Sequence, residues 1–533
     1  MHGDDALEWA TGHELAAWLR NKEVSAVRAL SVLLARVRQL DPAINAVVIL
    51  DEERALSRAA QADAALARGE LWGPLHGVPM TVKENNYVQG LDATIGDPLL
   101  AGQPSTFNEP MVQRLLDAGA VIYGKTNLPV ATADWQSYNG IYGQTNNPWD
   151  LRVSPGGSSG GSSAALAAGF TPLEMGGDIG GSVRIPAAFC GVFAHKPTYG
   201  LIPKPGALPT DLSVRGPMAR CAQDLKQLLE VTAGPVETAA GLPVGGVAWA
   251  LQLPRPTKSR LAQYKVGMVS SSSVCPTSRE TRAAVGRVAD ALRAAGASVH
   301  QDVSLPFDEE EMMSIYLKLL GCTLLGTHTR DSSFYEAAYG VDGAQLTELL
   351  EADAMRFGPS DSSLEAVAAR ASRISYAEWK QADTRRHELR RVWHEFLESS
   401  ASGGGGGGGG YDVLICPAFA TAAFAHDHSG SDIQPFWRET GRKLTVDGTE
   451  TAYERHVFWS ALTGTCFLPS TVFPTGCGDD SGLPIGLQVV GQEGADYICI
   501  DFVRLLEEEC GFTFRPPPLD SGTGAPRGCV ARL

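Results

Sequence analysis

Between Ser154 and Gly191 the chain is dominated by Gly, Ser and Ala, and within that window lie two separate serine segments flanked by glycine. The first is Pro155-Gly156-Gly157-Ser158-Ser159-Gly160-Gly161-Ser162-Ser163, opening a helix at Ala164–Ala168. The second is Gly176-Gly177-Asp178-Ile179-Gly180-Gly181-Ser182-Val183-Arg184-Ile185-Pro186. One such stretch alone reads as a flexible loop. Two within about thirty residues, the second carrying Ile, Val and Arg, do not read as a linker. Glycine lets the backbone come close to a substrate and turn its N–H groups inward, so both serines are candidates for chemistry.

The 533 residues are hydrophobic at 44 % of positions, enough to bury a sizeable core and to exclude global disorder. Lys and Arg number 44 against 60 Asp and Glu, and the net charge of −16 leaves no electrostatic footprint for nucleic acid or an anionic membrane. No apolar run approaches the ~18 residues that cross a bilayer. The acidic start, Met1-His2-Gly3-Asp4-Asp5, is unlike a secretory signal. Ten cysteines without a C-x-x-C pair predict reduced thiols in a soluble intracellular protein. Cytoplasmic placement is expected, with the terminal Ala531-Arg532-Leu533, a variant of the S-K-L address, giving a peroxisomal alternative.

Apolar spacing predicts helices over 12–40 (broken by Asp41-Pro42), 51–68, 110–118 and 279–294, and a long charged helix over 364–398. Strands are predicted to end at Val82-Lys83 and to cover 120–123, 266–269, 298–303, 411–417 and 486–491. No linker divides this alternation cleanly, which predicts one α/β domain over 1–515. The glycine tract 403–410 is expected as a flexible insertion and 516–533 as a loose tail.

Other patterns compete for the chemistry. Gly119-Ala120-Val121-Ile122-Tyr123-Gly124-Lys125-Thr126 matches the phosphate-loop pattern G-x-x-x-x-G-K-[ST] letter for letter. Its middle residues want to be a strand and a helix precedes it, the inverse of the context a phosphate cradle needs. Gly156-Gly157-Ser158-Ser159-Gly160 satisfies the G-x-S-x-G nucleophile elbow, but the polar, Pro-broken run 146–155 supplies no strand beneath it. His426-Asp427-His428 is weak support for a metal, and none is expected.

Taken as one constellation, the window resembles the amidase signature family. Lys83, Ser158 and Ser182 match the spacing of that family's Ser–cis-Ser–Lys triad. Surrounding words agree: Leu75-His76-Gly77-Val78-Pro79, Gly124-Lys125-Thr126-Asn127, Tyr142-Gly143-Gln144-Thr145-Asn146-Asn147-Pro148, Cys190-Gly191, His195-Lys196-Pro197-Thr198-Tyr199-Gly200 and Gly482-Leu483-Pro484-Ile485-Gly486-Leu487-Gln488. The resemblance spans about 12–515, strongest over 72–220, and is closer to bacterial-type amidases than to a membrane-bound fatty acid amide hydrolase.

The resemblance implies a mixed, mostly parallel twisted sheet sandwiched between helices, and cofactor-free hydrolysis of a carboxylic amide. Ser182 would attack the carbonyl, Ser158 relay the proton and Lys83 act as base. The N–H groups of Ile179, Gly180, Gly181 and Ser182 would form an oxyanion hole, with Ser159, Asp178 and Arg184 fixing the loops. Partial burial at a strand end lowers a lysine from its usual ~10.4, whereas His195 is expected to be structural. Trp135, Tyr138 and Tyr142 read equally as a substrate pocket and as core. Two departures stand out: Gly177 where Ser or Thr is common, and Glu84 where Asp is frequent. The implied partner is a small-molecule amide, with no nucleic acid and no membrane, and a homodimer is left open. Alternatives are the glutaminase (A) subunit of a glutamyl-tRNA amidotransferase, a Ser-His-Asp esterase and a non-catalytic binding module. The first usually carries Asp-Glu-Phe after the GKxN word, where Leu128-Pro129-Val130-Ala131-Thr132-Ala133-Asp134-Trp135-Gln136 stands here.

Overall fold

The computed structural model describes residues 2–204, 211–235, 253–326, 345, 348, 351–352, 354–358, 360–398, 410–429 and 442–519. Most of the glycine tract (403–409) and the terminal tripeptide fall outside them. Two helices, α1 (Asp4–Trp9) and α2 (Gly12–Arg20), lead into α3 (Ala26–Ile44). The chain breaks at 21–25, where Ser25 caps α3 by accepting the Arg28 N–H at 3.1 Å. It does not break at Asp41-Pro42 as expected, and α3 runs through Pro42 to Ile44. Asp41 accounts for this: its carbonyl accepts the Asn45 N–H, and its carboxylate accepts the Ala46 and Val47 N–H groups at 2.6 and 3.2 Å. Burial pushes that carboxyl up to about 6.

Next come β1 (Val47–Leu50), α4 (Glu52–Ala67), β2 (Pro79–Lys83), α5 (Pro110–Asp117) and β3 (Val121–Thr126), whose strands form a sheet in the order β1-β3-β2. Strand β3 continues past Tyr123, so Gly124, Lys125 and Thr126 of the phosphate-loop pattern are strand residues. Gly119 has φ +98°, and a Cβ there would meet the His76 backbone at 2.6 Å. Close packing explains the glycine, and no phosphate loop is present.

The chain continues through the hairpin β4 (Tyr138–Asn139) and β5 (Gly143–Gln144), then α6 (Gly160–Ala167), β6 (Leu173–Asp178), α7 (Arg184–Cys190), β7 (Phe193–Lys196), β8 (Val214–Ala219) and α8 (Ala222–Thr232). After it come β9 (Lys265–Met268), α9 (Arg279–Ala294), β10 (Ser298–His300), α10 (Glu309–Gly326), α11 (Leu364–Arg370) and α12 (Tyr376–Glu398). The expected single helix over 364–398 is thus two. Ser375 and Glu378 close a capping box that restarts it, each accepting the other's backbone N–H. The last elements are β11 (Val413–Pro417), the hairpin β12 (Lys443–Val446) and β13 (Thr449–Ala452), α13 (Phe458–Gly464), β14 (Ser470–Cys477), β15 (Pro484–Val490) and α14 (Asp496–Cys510).

The large sheet has the order β10-β9-β11-β15-β14-β7-β8-β6. It is the mixed α/β sheet expected, though the balance of ladders differs. Within it, β10–β9 and β9–β11 are parallel and the other neighbours antiparallel; β2–β3 adds a parallel pair in the smaller sheet. The short β14–β15 connection can only reverse the chain, and it seeds the antiparallel part. Alternation sends successive residues to opposite faces. Val413, Ile415, Phe473, Leu487 and Val489 enter one core with α8, α9 and α14. Leu414, Cys416, Val472 and Val490 enter another with α7, α10, α12 and α13. Among the described residues no helix is long and apolar enough to cross a membrane, and nine cysteines are free.

Candidate active site

Three chain segments deliver the predicted triad. Lys83 ends β2, every residue of which is buried. Ser158 lies on the turn before α6, following a cis Gly157–Ser158 peptide, and Ser182 lies on the loop from β6 to α7. Lys83 Nζ donates to Ser158 Oγ at 2.7 Å, and both residues are buried. The Ser159 N–H donates to the Ser182 carbonyl at 3.0 Å, which ties the two serine loops together. Ser182 is 5 % exposed, so the site is screened from bulk water. Burial, and then the positive charge of Arg215, hold the Lys83 amine well below the ordinary lysine value; Asp178, Glu174 and Glu84 pull the other way. A neutral amine at 2.7 Å can accept the Ser158 hydroxyl proton along the same line.

The Ser182 loop is braced from beneath. Asp178 accepts the Gly181 and Val183 N–H groups at 3.0 and 3.1 Å and both Nε and Nη2 of Arg184 at 3.0 and 2.9 Å. Burial raises this carboxyl, but the Arg184 charge and these hydrogen bonds outweigh it and hold it at about 2. Arg184 reaches on to Thr463 Oγ1, the Ser460 carbonyl and Gln488 Oε1. Two carbonyls of the loop are tied as well: Tyr316 Oη donates to Ile179 O at 2.8 Å and Trp135 Nε1 to Gly180 O at 3.0 Å. In a planar trans peptide the following N–H points opposite to the carbonyl, so Tyr316 fixes the direction of the Gly180 N–H.

One expected oxyanion donor is otherwise engaged, since the Gly181 N–H is already spent on Asp178. The amides of Ile179, Gly180 and Ser182 make no hydrogen bond among the described residues.

Ser159 Oγ lies 3.5 Å from the Gly177 carbonyl. Trp135 is buried against Phe419 and Tyr453 and belongs to the core, its indole N–H serving the loop. Tyr138 stacks on His428 and donates to Asp134, and Tyr142 Oη is 3.5 Å from Glu84. His195 is fully buried between Thr471 Oγ1 (2.9 Å) and Asp496 Oδ1 (3.0 Å), so both its ring nitrogens are engaged by groups other than the two serines. Sequence reasoning missed Tyr316, which lies far along the chain from the serine window, and Arg215, whose place beside Gly177 arises only from strand pairing. It also missed Glu174, a buried carboxyl pushed up to about 8 by burial, whose partners include Thr81 and Thr126.

The Amidase family profile matches residues 28–500 of this chain. A relative from Moorella thermoacetica, the glutamyl-tRNA(Gln) amidotransferase (A) subunit, is 31 % identical over 523 residues, 96 % of this chain and 99 % of the relative. The native peptide amidase of Stenotrophomonas maltophilia has a similar structure, with a TM-score of 0.69 at 25 % identity over 95 % of this chain and 98 % of that one. A bacterial aryl acylamidase of the amidase signature enzymes shares the fold with a TM-score of 0.75 at 22 % identity, over 94 % of this chain and 96 % of its own.

Proposed function

The chain belongs to the amidase family, and from that premise we propose that it hydrolyses a carboxylic amide through an acyl-enzyme on Ser182. The observation that carries this reading is the buried 2.7 Å contact between Lys83 Nζ and Ser158 Oγ, beside a loop that presents Ser182. A serine hydroxyl needs an adjacent base to become a competent nucleophile. As Ser182 Oγ bonds to the carbonyl carbon, its proton passes to Ser158, whose own proton passes to Lys83. The oxygen of the tetrahedral intermediate takes the negative charge and is met by the Ile179, Gly180 and Ser182 N–H groups, the Gly181 N–H bracing the loop instead. The Lys83 ammonium returns the proton through Ser158 to the departing nitrogen as the C–N bond breaks. Water then cleaves the acyl ester by the same relay. A donor of the oxyanion kind is typically worth about 10²–10³ in rate, so the bracing of this loop by Asp178, Tyr316 and Trp135 supports the same reading.

A second reading is favoured by the curated relatives, which carry the name of the (A) subunit of a glutamyl-tRNA(Gln) amidotransferase. In that role the same triad would release ammonia from glutamine for a partner protein. The run Leu128-Pro129-Val130-Ala131-Thr132-Ala133-Asp134-Trp135-Gln136, without the Asp-Glu-Phe of that subunit, favours the free-standing amidase. A fluorophosphonate probe on wild type and Ser182→Ala, followed by primary, secondary and aryl amides and glutamine, tests both. Labelling lost in Ser182→Ala, with turnover of simple amides by the isolated chain, is expected. Labelling that survives in Ser182→Ala shows that Ser182 is not the nucleophile, and turnover of glutamine alone, only with an added partner, selects the second reading.

A further inference from the structure

Arg215 is a buried cation that the mechanism above does not use. It lies on β8 directly across from Gly177 on β6, in the register that pairs Asp178 with Val214. A Cβ on residue 177 would come within 3.3 Å of Arg215 Nη1. The guanidinium therefore lies over the bare Cα of the residue before Asp178, where a Ser or Thr side chain would crowd it. From there Nη2 donates to the Asn85 carbonyl at 3.3 Å and to Glu109 Oε2 at 2.8 Å. Asn85 is the second residue after Lys83, and Asn86 Nδ2 ties the same turn to the Met175 carbonyl at 2.9 Å.

We propose that Arg215 is a positioning residue for Lys83, occupying the room that glycine at 177 leaves and fixing the turn that ends β2. This inference rests on the reading of Lys83 as the base. Two physical effects follow from the placement. The turn after the base is held from β8 as well as from β6, so the amine keeps its line to Ser158. A positive charge whose field reaches the amine also opposes its protonation. The charges acting on Lys83 come from three directions: Arg215 on β8, Asp178 and Glu174 on β6, and Glu84 next in the chain. Arg215 itself is met by Glu109, with Lys125 and Lys204 also in its field. The ion pair with Glu109 uses one nitrogen and one oxygen; Arg215 Nε and Glu109 Oε1 have no partner among the described residues. A single contact neutralises the guanidinium less completely than a two-pronged fork.

The test is the pH dependence of fluorophosphonate labelling at Ser182, located by peptide mass, in wild type, Arg215→Lys, Arg215→Met and the double variant Glu109→Gln/Arg215→Met. The double variant avoids leaving the buried Glu109 charge uncompensated, and thermal melts check that each protein is folded. Arg215→Met and the double variant should show the acid limb displaced to higher pH, with labelling about tenfold slower near pH 6, and the alkaline plateau lowered too because the turn after Lys83 loses its tie to β8. Arg215→Lys, which keeps the charge, should stay near wild type. An acid limb in the folded double variant that coincides with wild type overturns the role of Arg215 and leaves the amidase reading intact. A wild-type rate with no acid limb overturns both.

Discussion

Lys83 carries the proposed chemistry because its environment disfavours its charged form. Burial is the largest cause and the Arg215 cation the next, and together they outweigh Asp178, Glu174 and Glu84. The same displacement sets a stability cost whose pH window has a definite sign. Between the depressed folded value and the usual lysine value of 10.5, the unfolded chain binds a proton that the folded chain refuses, so stability rises with pH across that window. Lys83→Met removes this burden. Its denaturation midpoint should exceed wild type near neutrality, and the excess should shrink as pH climbs toward 10.5. An excess that stays constant with pH contradicts a neutral buried amine. At this scale the sequence marks the two glycine-flanked segments that hold Ser158 and Ser182, while Lys83, a strand-end lysine by its local context, is singled out only beside them and through the family resemblance. Arg215 and Tyr316 are not legible there, because their roles arise only from cross-strand register and from a helix more than a hundred residues away.

At the scale of elements, the loop joining β6 to α7 is tied from several sides. Asp178 grips it from within, Arg184 links it to α13 and β15, and Tyr316 and Trp135 hold its carbonyls. Helix α10 therefore serves the site through one hydroxyl. Tyr316→Phe deletes that bond, frees the Ile179–Gly180 peptide to rotate, and leaves a half-buried carbonyl without its donor at a cost of about 1 kcal/mol. With a simple amide substrate, kcat should fall about tenfold while KM changes little, because the lost alignment matters mainly once the oxyanion forms. A raised KM at constant kcat would instead place Tyr316 in ground-state binding. Element boundaries are legible where capping signals mark them and are lost where periodicity alone is followed. Ser375-Tyr376-Ala377-Glu378 spells the S-x-x-E box that divides α11 from α12. Pro42 has no such local marker, since α3 survives it through the Asp41 carboxylate closing the next turn.

Across the molecule, two cores on opposite faces of one sheet hold the strands that carry or brace the site. The α/β class follows from alternating helix and strand patterns, but the sheet order does not. Strand β15 inserts between β11 and β14, a long-range pairing that periodicity does not encode. The same sheet holds His195 on β7, hydrogen-bonded to Thr471 on β14 and to Asp496 on α14, while β2 in the smaller sheet holds Lys83. Of these two buried side chains, Lys83 is the one hydrogen-bonded to a serine of the proposed triad. Single-turnover acylation of Ser182, followed by intact mass on Lys83→Ala and His195→Gln at equal folded fraction, separates them. Acylation should vanish in Lys83→Ala and persist near the wild-type rate in His195→Gln; loss in the histidine variant with retention in the lysine variant would contradict the account.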